Sequence, residues 1–84
     1  MTYKIQIPSS VIKQLKKIPE RDRVRIIKAI DNLAIEALPP DTKKLKGFDF
    51  YRIRAGDYRI VYSIEDKELV ILIIKVAHRK DVYR

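Results

Sequence analysis

The chain has 84 residues, 46% of them hydrophobic and 36% charged, which fits one globular domain over residues 1–84 and excludes a disordered tail. The formal net charge of +8 favours a polyanionic partner, either a nucleic acid or an acidic protein. Cysteine is absent and no apolar run approaches the length of a membrane helix, so we expect a cytoplasmic protein without disulfides or a membrane partner.

The first elements are a short strand and two helices. Residues 3–7 alternate in polarity, as a strand does, until Pro8 removes a backbone donor. Apolar residues then recur at helical spacing, and Ser9 or Ser10 is placed to cap this first helix. A second helix restarts at Pro19 and continues to the prolines that follow Leu38. Its predicted apolar face contains Val24, Ile27, Ile30, Ala34 and Ala37, widened by Ile26 and Leu33.

Residues 50–62 predict a β-hairpin that carries arginines. Gly56 suits the positive φ of a tight turn, and aromatic and β-branched residues flank it on both sides. Because side chains alternate between the faces of a strand, the apolar residues share one face. These residues are Tyr51, Ile53, Tyr58, Ile60, Tyr62 and Ile64. Arg52, Arg54 and Arg59 are then expected together on the opposite face, as a concentrated positive site.

The remaining segments complete the fold prediction. Residues 39–46 are interpreted as a connector, and the apolar run over residues 69–74 suits a strand that is buried on both faces or lies centrally in the sheet. The order is strand, helix, helix and three strands, or β-α-α-β-β-β. We therefore predict an α+β two-layer sandwich, with a helical hairpin packed on one face of a mainly antiparallel sheet.

The chemistry available to the chain is dominated by guanidinium groups. There is no cysteine nucleophile, glycine-rich phosphate loop or metal-ligand spacing, and His78 is the only histidine, so we expect no metal and no cofactor. Arginine offers a planar fork of donors that matches phosphate oxygens. Taken by pattern alone, the three hairpin arginines fit a phosphate site and the solvated outer face of a sheet about equally well.

Three stretches carry a resemblance to a known family. They are residues 45–47 (LKG), 51–62 (YRIRAGDYRIVY) and 77–83 (AHRKDVY), and the match extends over essentially the whole chain. The sequence resembles the RelE/ParE toxin superfamily, whose fold has the same order of strands and helices. The resemblance implies a RelE-like toxin of a type II toxin–antitoxin pair, an endoribonuclease that cleaves messenger RNA in the ribosomal A site.

The resemblance also implies roles for individual residues. The implied catalytic residues are Arg52, Arg54, Arg59, Arg79 and Tyr83. The residues expected to bind RNA are Lys43, Lys44, Lys46, His78, Lys80 and Arg84. Three positions depart from the family pattern, since some relatives have lysines where Arg52 and Arg54 stand, and glycine is common where Ala77 stands. The sequence ends one residue after Tyr83, so we expect no C-terminal helix of the kind that some relatives carry.

The implied partners are an acidic RelB-like antitoxin, the ribosome and mRNA, with toxin and antitoxin in a higher hetero-oligomer. Two other functions stay open at this point. One is a ParE-like inhibitor of DNA gyrase without nuclease activity, and the other is a retired toxin kept as a binding module. Arg59, Arg79 and Tyr83 together favour the nuclease, because gyrase-directed relatives tend to lack that set.

Overall fold

The computed structural model describes residues 2–47 and 49–82. In chain order its elements are β1 (Lys4–Gln6), α1 (Ser9–Lys16), α2 (Glu20–Leu33), β2 (Lys43–Lys44), β3 (Tyr51–Ala55), β4 (Tyr58–Glu65), β5 (Val70–His78) and α3 (Arg79–Val82). Within the described part of the chain, no helix has the length and apolar character needed to cross a membrane.

The five strands form one sheet in the order β1-β5-β4-β3-β2. β1 runs parallel to β5, and the other neighbours are antiparallel. The predicted α+β fold and the mainly antiparallel sheet are confirmed. The structure adds β2, which sequence analysis interpreted as part of a connector, and the single turn of α3. A strand of two lysines has neither the length nor the β-branched composition by which a strand is recognised.

The start of α1 differs from the prediction. Pro8 occupies the N-cap position and no side chain caps the helix, so the predicted serine cap is wrong. The carbonyl oxygen of Pro8 accepts hydrogen bonds from the N–H groups of Val11 and Ile12, at 3.0 Å each. The helix therefore begins one residue earlier than a Ser9 cap would allow, and both serines lie exposed in its first turn.

The second helix is shorter and rotated relative to the prediction. It ends at Leu33, and the carbonyl oxygen of Ala34 accepts a hydrogen bond from the Tyr3 N–H at 2.7 Å, which ties this end to the start of β1. The helix buries Ile26, Ile30 and Leu33. Val24 and Ile27, which were predicted to be core residues, are 52% and 43% exposed. Ile26 and Leu33 thus lie at the centre of the buried face rather than at its margin.

The core lies between the two helices and the apolar face of the sheet. Its fully buried side chains are Val11, Ile26, Ile30, Leu33, Ile60, Tyr62, Ile71 and Ile73. The Tyr62 hydroxyl donates a hydrogen bond to the carbonyl oxygen of Ala37 at 2.7 Å, so this ring joins the sheet to the chain that follows α2. Burial also raises the pKa of the Tyr62 hydroxyl.

The central strand β5 contains an irregularity that decides which of its residues face the core. The pairing with β4 passes from Val61–Lys75 to Tyr62–Ile73, so Ile74 has no direct partner. The buried residues of β5 are Ile71, Ile73 and Val76. Because of the β-bulge, the interval between successive buried residues changes from two to three. β1 pairs with β5 only as far as Leu72, and farther along β5 the Val76 N–H donates a hydrogen bond to Oε1 of Gln14 on α1 at 3.2 Å. Leu72 and Ile74 are half-buried, so the predicted burial of both faces of this strand is only partial.

Candidate nucleic-acid interface

The pairing of three neighbouring strands brings four cationic side chains to one face of the sheet. Arg54 on β3 lies directly opposite Arg59 on β4, and Arg52 lies opposite Lys43 on β2. Directly opposed residues share a face, as do residues two apart on one strand. Arg52, Arg54 and Arg59 therefore share the face predicted from the alternation, and Lys43 joins them.

A groove forms beside these residues because β2 is so short. Beyond the pair of Lys43 with Arg52, the described part of β3 has no neighbouring strand on that side, and residues 40–42 form the second wall. The resulting open groove has a volume of about 680 Å³. It is lined by Pro40, Asp41, Thr42, Lys43, Arg52, Ile53, Arg54 and Arg59. We call it the basic groove, since four cations face one carboxylate along it.

The four cations differ in how far they reach solvent. Lys43 and Arg54 are exposed, Arg52 is half-buried and Arg59 is only 8% exposed. The expectation that all three arginines project openly from the sheet is therefore corrected for Arg59. Like charges placed directly opposite each other destabilise a sheet, which makes two such pairs beside one groove a costly arrangement. An anion bound in the groove would offset that cost.

Two of the predicted RNA-binding lysines lie away from the basic groove. Lys44 lies opposite Tyr51, so its side chain emerges on the other face of the sheet. Its Nζ atom is 3.6 Å from Oδ1 of Asp49, and both side chains are exposed. Lys46 lines a separate shallow depression together with Lys44 and Asp49. The structure thus separates these lysines from the groove that Lys43 lines.

The residues predicted in the tail lie at the hairpin-turn end of the sheet. His78 ends β5 opposite Tyr58, one residue pair beyond Arg59. The Arg79 backbone N–H donates to the carbonyl oxygen of Asp57 at 2.8 Å, and its Nε atom lies 4.0 Å from Oδ1 of the same residue. Lys80 is exposed. Tyr83 and Arg84, also predicted as site residues, lie outside the described residues.

Sequence analysis missed the wall of the groove opposite the arginines. Residues 40–42 contribute a proline, a carboxylate and a hydroxyl, and nothing in their pattern indicates that they face β3. Lys43 was predicted to bind RNA, but its pairing with Arg52 follows from the register of a two-residue strand. Among the described residues, no three histidine, aspartate or glutamate side chains are grouped in a way that could hold a metal ion.

Comparisons with known protein families show which class of protein has this fold. The family model of the ParE toxin of type II toxin–antitoxin systems, parDE, matches residues 5–83. The match extends from β1 through the tail and so includes every element of the groove. The chain belongs to this toxin family.

The relatives and solved structures that the chain resembles include RelE toxins. Toxin RelE3 of Methanocaldococcus jannaschii is 36% identical over 85 residues, a match that covers 95% of this chain and 94% of the relative. The mRNA interferase toxin RelE of Escherichia coli K12 is 28% identical over 87 residues, covering 95% and 86%. RelE in the RelE–RelB complex of Pyrococcus horikoshii superposes with a TM-score of 0.84 at 39% identity, covering 94% and 97%. The protein is a RelE-like toxin of a type II toxin–antitoxin system.

Proposed function

We propose that the protein is an endoribonuclease that cleaves mRNA in the ribosomal A site and so inhibits translation. The observation that carries the proposal is the basic groove, where register brings Lys43, Arg52, Arg54 and Arg59 to one face. Cations at this density suit a phosphodiester, whose oxygens accept hydrogen bonds from several guanidinium forks at once. The name mRNA interferase, which the Escherichia coli relative carries, supports the same reaction class.

The proposed reaction is an internal transesterification of the RNA strand. The 2′-hydroxyl oxygen attacks the adjacent phosphorus, a new bond from O2′ to phosphorus forms, and the bond from phosphorus to O5′ breaks. The 2′-hydroxyl loses a proton, the departing O5′ gains one, and the products carry a 2′,3′-cyclic phosphate and a 5′-hydroxyl. Negative charge accumulates on the phosphoryl oxygens during attack, and donors already in place for that charge lower the barrier.

Each predicted site residue has a role in this proposal. Arg52, Arg54 and Arg59 stabilise the charged phosphoryl group, and they remain protonated because arginine does not readily lose its proton. Arg79 adds a cation at the hairpin-turn end of the sheet, and Tyr83 stacks on a substrate base or supports proton transfer. The residues proposed to bind the RNA strand are Lys43, Lys44, Lys46, His78, Lys80 and Arg84. No metal or cofactor takes part in the proposed reaction.

The ribosome is proposed as an essential part of the active complex. The groove supplies several cations but few groups that exchange protons near neutral pH, so free RNA should be cleaved very slowly. A substrate held in the geometry of in-line attack needs much less help from the enzyme, since positioning alone contributes a large share of the barrier reduction. We propose that the A site imposes this geometry on the mRNA in the cytoplasm.

An acidic RelB-like antitoxin is the proposed protein partner. The structure of the Pyrococcus horikoshii relative contains RelE with RelB, and a chain of net charge +8 favours an acidic partner through complementary charge. We propose that the antitoxin covers the basic groove and that the pair assembles into a higher hetero-oligomer. Co-purification with an acidic adjacent-gene product that protects Arg54, the exposed arginine of the groove, and restores growth would support this. A partner that binds the helices and leaves Arg54 reactive would contradict the occlusion.

A primer-extension map of mRNA on translating ribosomes tests the proposed reaction. The wild-type protein should stop the reverse transcriptase at A-site codons, and Arg54→Ala should weaken the stops about 100-fold, as for the loss of one transition-state donor. Lys75→Ala is the matched control, since Lys75 is an exposed cation of β5 that does not line the basic groove. Equal loss in both variants would show that overall charge, rather than the groove, carries the activity.

A gyrase-directed function is the second candidate, because the matching family model is that of the ParE toxin of parDE. In that case the protein would leave mRNA intact on ribosomes and cause DNA damage that depends on gyrase. A protein that does neither, yet binds its antitoxin, would be a retired toxin kept as a binding module. The same cultures, assayed for mRNA stops and for DNA breaks, separate the three functions.

A further inference from the structure

At the junction between β5 and α3, the first backbone N–H groups of the helix donate hydrogen bonds to acceptors outside the helix. The first N–H groups of any helix have no partner within it. Here the Arg79 N–H donates to the carbonyl oxygen of Asp57 in the hairpin turn at 2.8 Å. The Lys80 N–H donates to Nδ1 of the His78 imidazole at 3.2 Å. His78 thus occupies the N-cap position of α3, and its ring nitrogen accepts from the second residue of the helix, as a capping side chain does.

The imidazole is held in this orientation by a second contact. His78 pairs with Tyr58 across β4 and β5, and the two ring centroids are 5.2 Å apart with an interplanar angle of 88°. Edge-to-face contacts of this kind are favourable for aromatic rings. Tyr58 itself packs against the hydrophobic core. The ring of His78 therefore connects the core to the start of the tail helix.

We propose that His78 is a positioning residue, which caps α3 through its imidazole ring and thereby fixes Arg79 against the hairpin turn. A helix of four residues has too few internal hydrogen bonds to be stable alone, so its external contacts decide where it lies. Arg79 then stays two residues beyond Ala77, the β5 partner of Arg59, at the hairpin-turn end of the sheet. The importance of that position for cleavage rests on the proposed function, whereas the capping itself does not.

Two variants separate the acceptor from the ring. His78→Asn keeps a side-chain acceptor that favours N-cap positions but removes the aromatic contact with Tyr58. His78→Phe keeps a ring beside Tyr58 and removes the acceptor. The first measurement is hydrogen exchange of the Lys80 amide, followed by NMR and corrected for the intrinsic exchange rate of each sequence. The second is single-turnover cleavage on programmed ribosomes.

Exchange of the Lys80 amide should be roughly fivefold faster in His78→Phe than in the wild type at neutral pH, the size expected for loss of one cap. In His78→Asn it should stay about as slow as in the wild type, because the acceptor is kept. Cleavage should follow the same order and be reduced more in His78→Phe than in His78→Asn.

Two outcomes would overturn the proposal. Unchanged exchange in His78→Phe would show that Nδ1 does not cap the helix. Slow exchange together with lost cleavage in His78→Asn would show that the imidazole acts on the RNA directly rather than by positioning Arg79. If the wild type does not cleave mRNA at all, the proposed function fails, while the exchange measurement still decides the capping.

Discussion

Lys43 and Lys44 are adjacent in one short strand, carry the same charge and are both exposed, yet the sheet gives them different surroundings. Lys43 lies opposite Arg52 and lines the basic groove. Lys44 lies opposite Tyr51, on the other face, and has Asp49 at 3.6 Å. The difference shows that the parity of a residue within its strand, more than its charge, decides whether it belongs to the candidate site.

The same division holds for the whole hairpin of β3 and β4. One face contributes Ile53, Ile60 and Tyr62 to the core, and the other carries Arg52, Arg54 and Arg59. Burial of apolar area is the main favourable term in folding, whereas opposed like charges are unfavourable. The apolar face therefore stabilises a strand arrangement that the charged face opposes. Substitutions on the two faces should consequently separate stability from activity.

The largest expected effect is on stability, from the apolar face. Ile60→Ala removes a fully buried side chain at the centre of the sheet and should lower the free energy of unfolding by about 2–5 kcal/mol. Urea denaturation followed by circular dichroism measures it. Ile35→Ala is the control, because Ile35 is 77% exposed, and it should change stability by less than about 0.5 kcal/mol. Equal losses in both would contradict the assignment of the core.

The next largest effect is expected on the rate of RNA cleavage, from substitutions of the charged side chains. Arg59→Ala and Arg79→Ala should each cost about 3 kcal/mol in the chemical step, the size seen for one transition-state donor. Single-turnover cleavage on programmed ribosomes measures this. Because Arg59 is almost buried, Arg59→Lys serves as a second variant that keeps the positive charge. Full activity in well-folded Arg59→Ala would remove Arg59 from the site.

The alternation of the hairpin made much of this arrangement predictable from sequence. Gly56, with φ of 63°, takes the left-handed conformation that the turn prediction required. Once the turn is fixed, the parity of every residue in β3 and β4 follows, and so does the shared face of the three arginines. The fold class was predictable for the same reason, since the apolar residues of each long helix or strand repeat at the spacing typical of that element.

The parts that could not be predicted depend on contacts between distant segments. The rotation of α2 is set by packing against the sheet, and the helix was apolar enough to bury either Ile26 or Ile27. The bulge at Ile74 changes parity within β5 without any glycine or proline to mark it. The burial of Arg59 and the groove wall at residues 40–42 likewise arise only when the chain is folded.

A smaller effect on stability is expected where the apolar face meets a hydrogen bond. Tyr62→Phe removes the donor to the Ala37 carbonyl oxygen and should cost about 1 kcal/mol. Burial raises the pKa of the Tyr62 hydroxyl, so folding favours its neutral form. That contribution is complete below the pKa of the unfolded chain, about 10, and is lost as pH rises through the higher pKa of the folded state.

Urea denaturation of the wild type and Tyr62→Phe at neutral and alkaline pH checks this sign. The wild type should lose stability above about pH 10 more steeply than the variant, which lacks the titrating hydroxyl. Tyr3→Phe is a useful comparison, because the Tyr3 hydroxyl donates to Oδ1 of Asp66 at an exposed site, and this hydrogen bond raises the pKa of Tyr3. Parallel curves for the wild type and Tyr62→Phe would contradict a buried, neutral Tyr62.

The smallest expected effect comes from the two lysines of β2, where stability and RNA affinity should change in opposite directions. Lys43→Gln removes a like-charge pair with Arg52, so the free energy of unfolding should rise by about 0.2–1 kcal/mol while binding of a short RNA weakens. Lys44→Gln removes the exposed pair with Asp49 and should lower stability by at most about 1 kcal/mol. It should weaken RNA binding less than Lys43→Gln does, because Lys44 does not line the basic groove. Both stability changes should shrink at high salt, because screening weakens exposed charge pairs. Equal weakening of RNA binding in the two variants would show that net charge, rather than strand parity, directs the nucleic acid to this edge of the sheet.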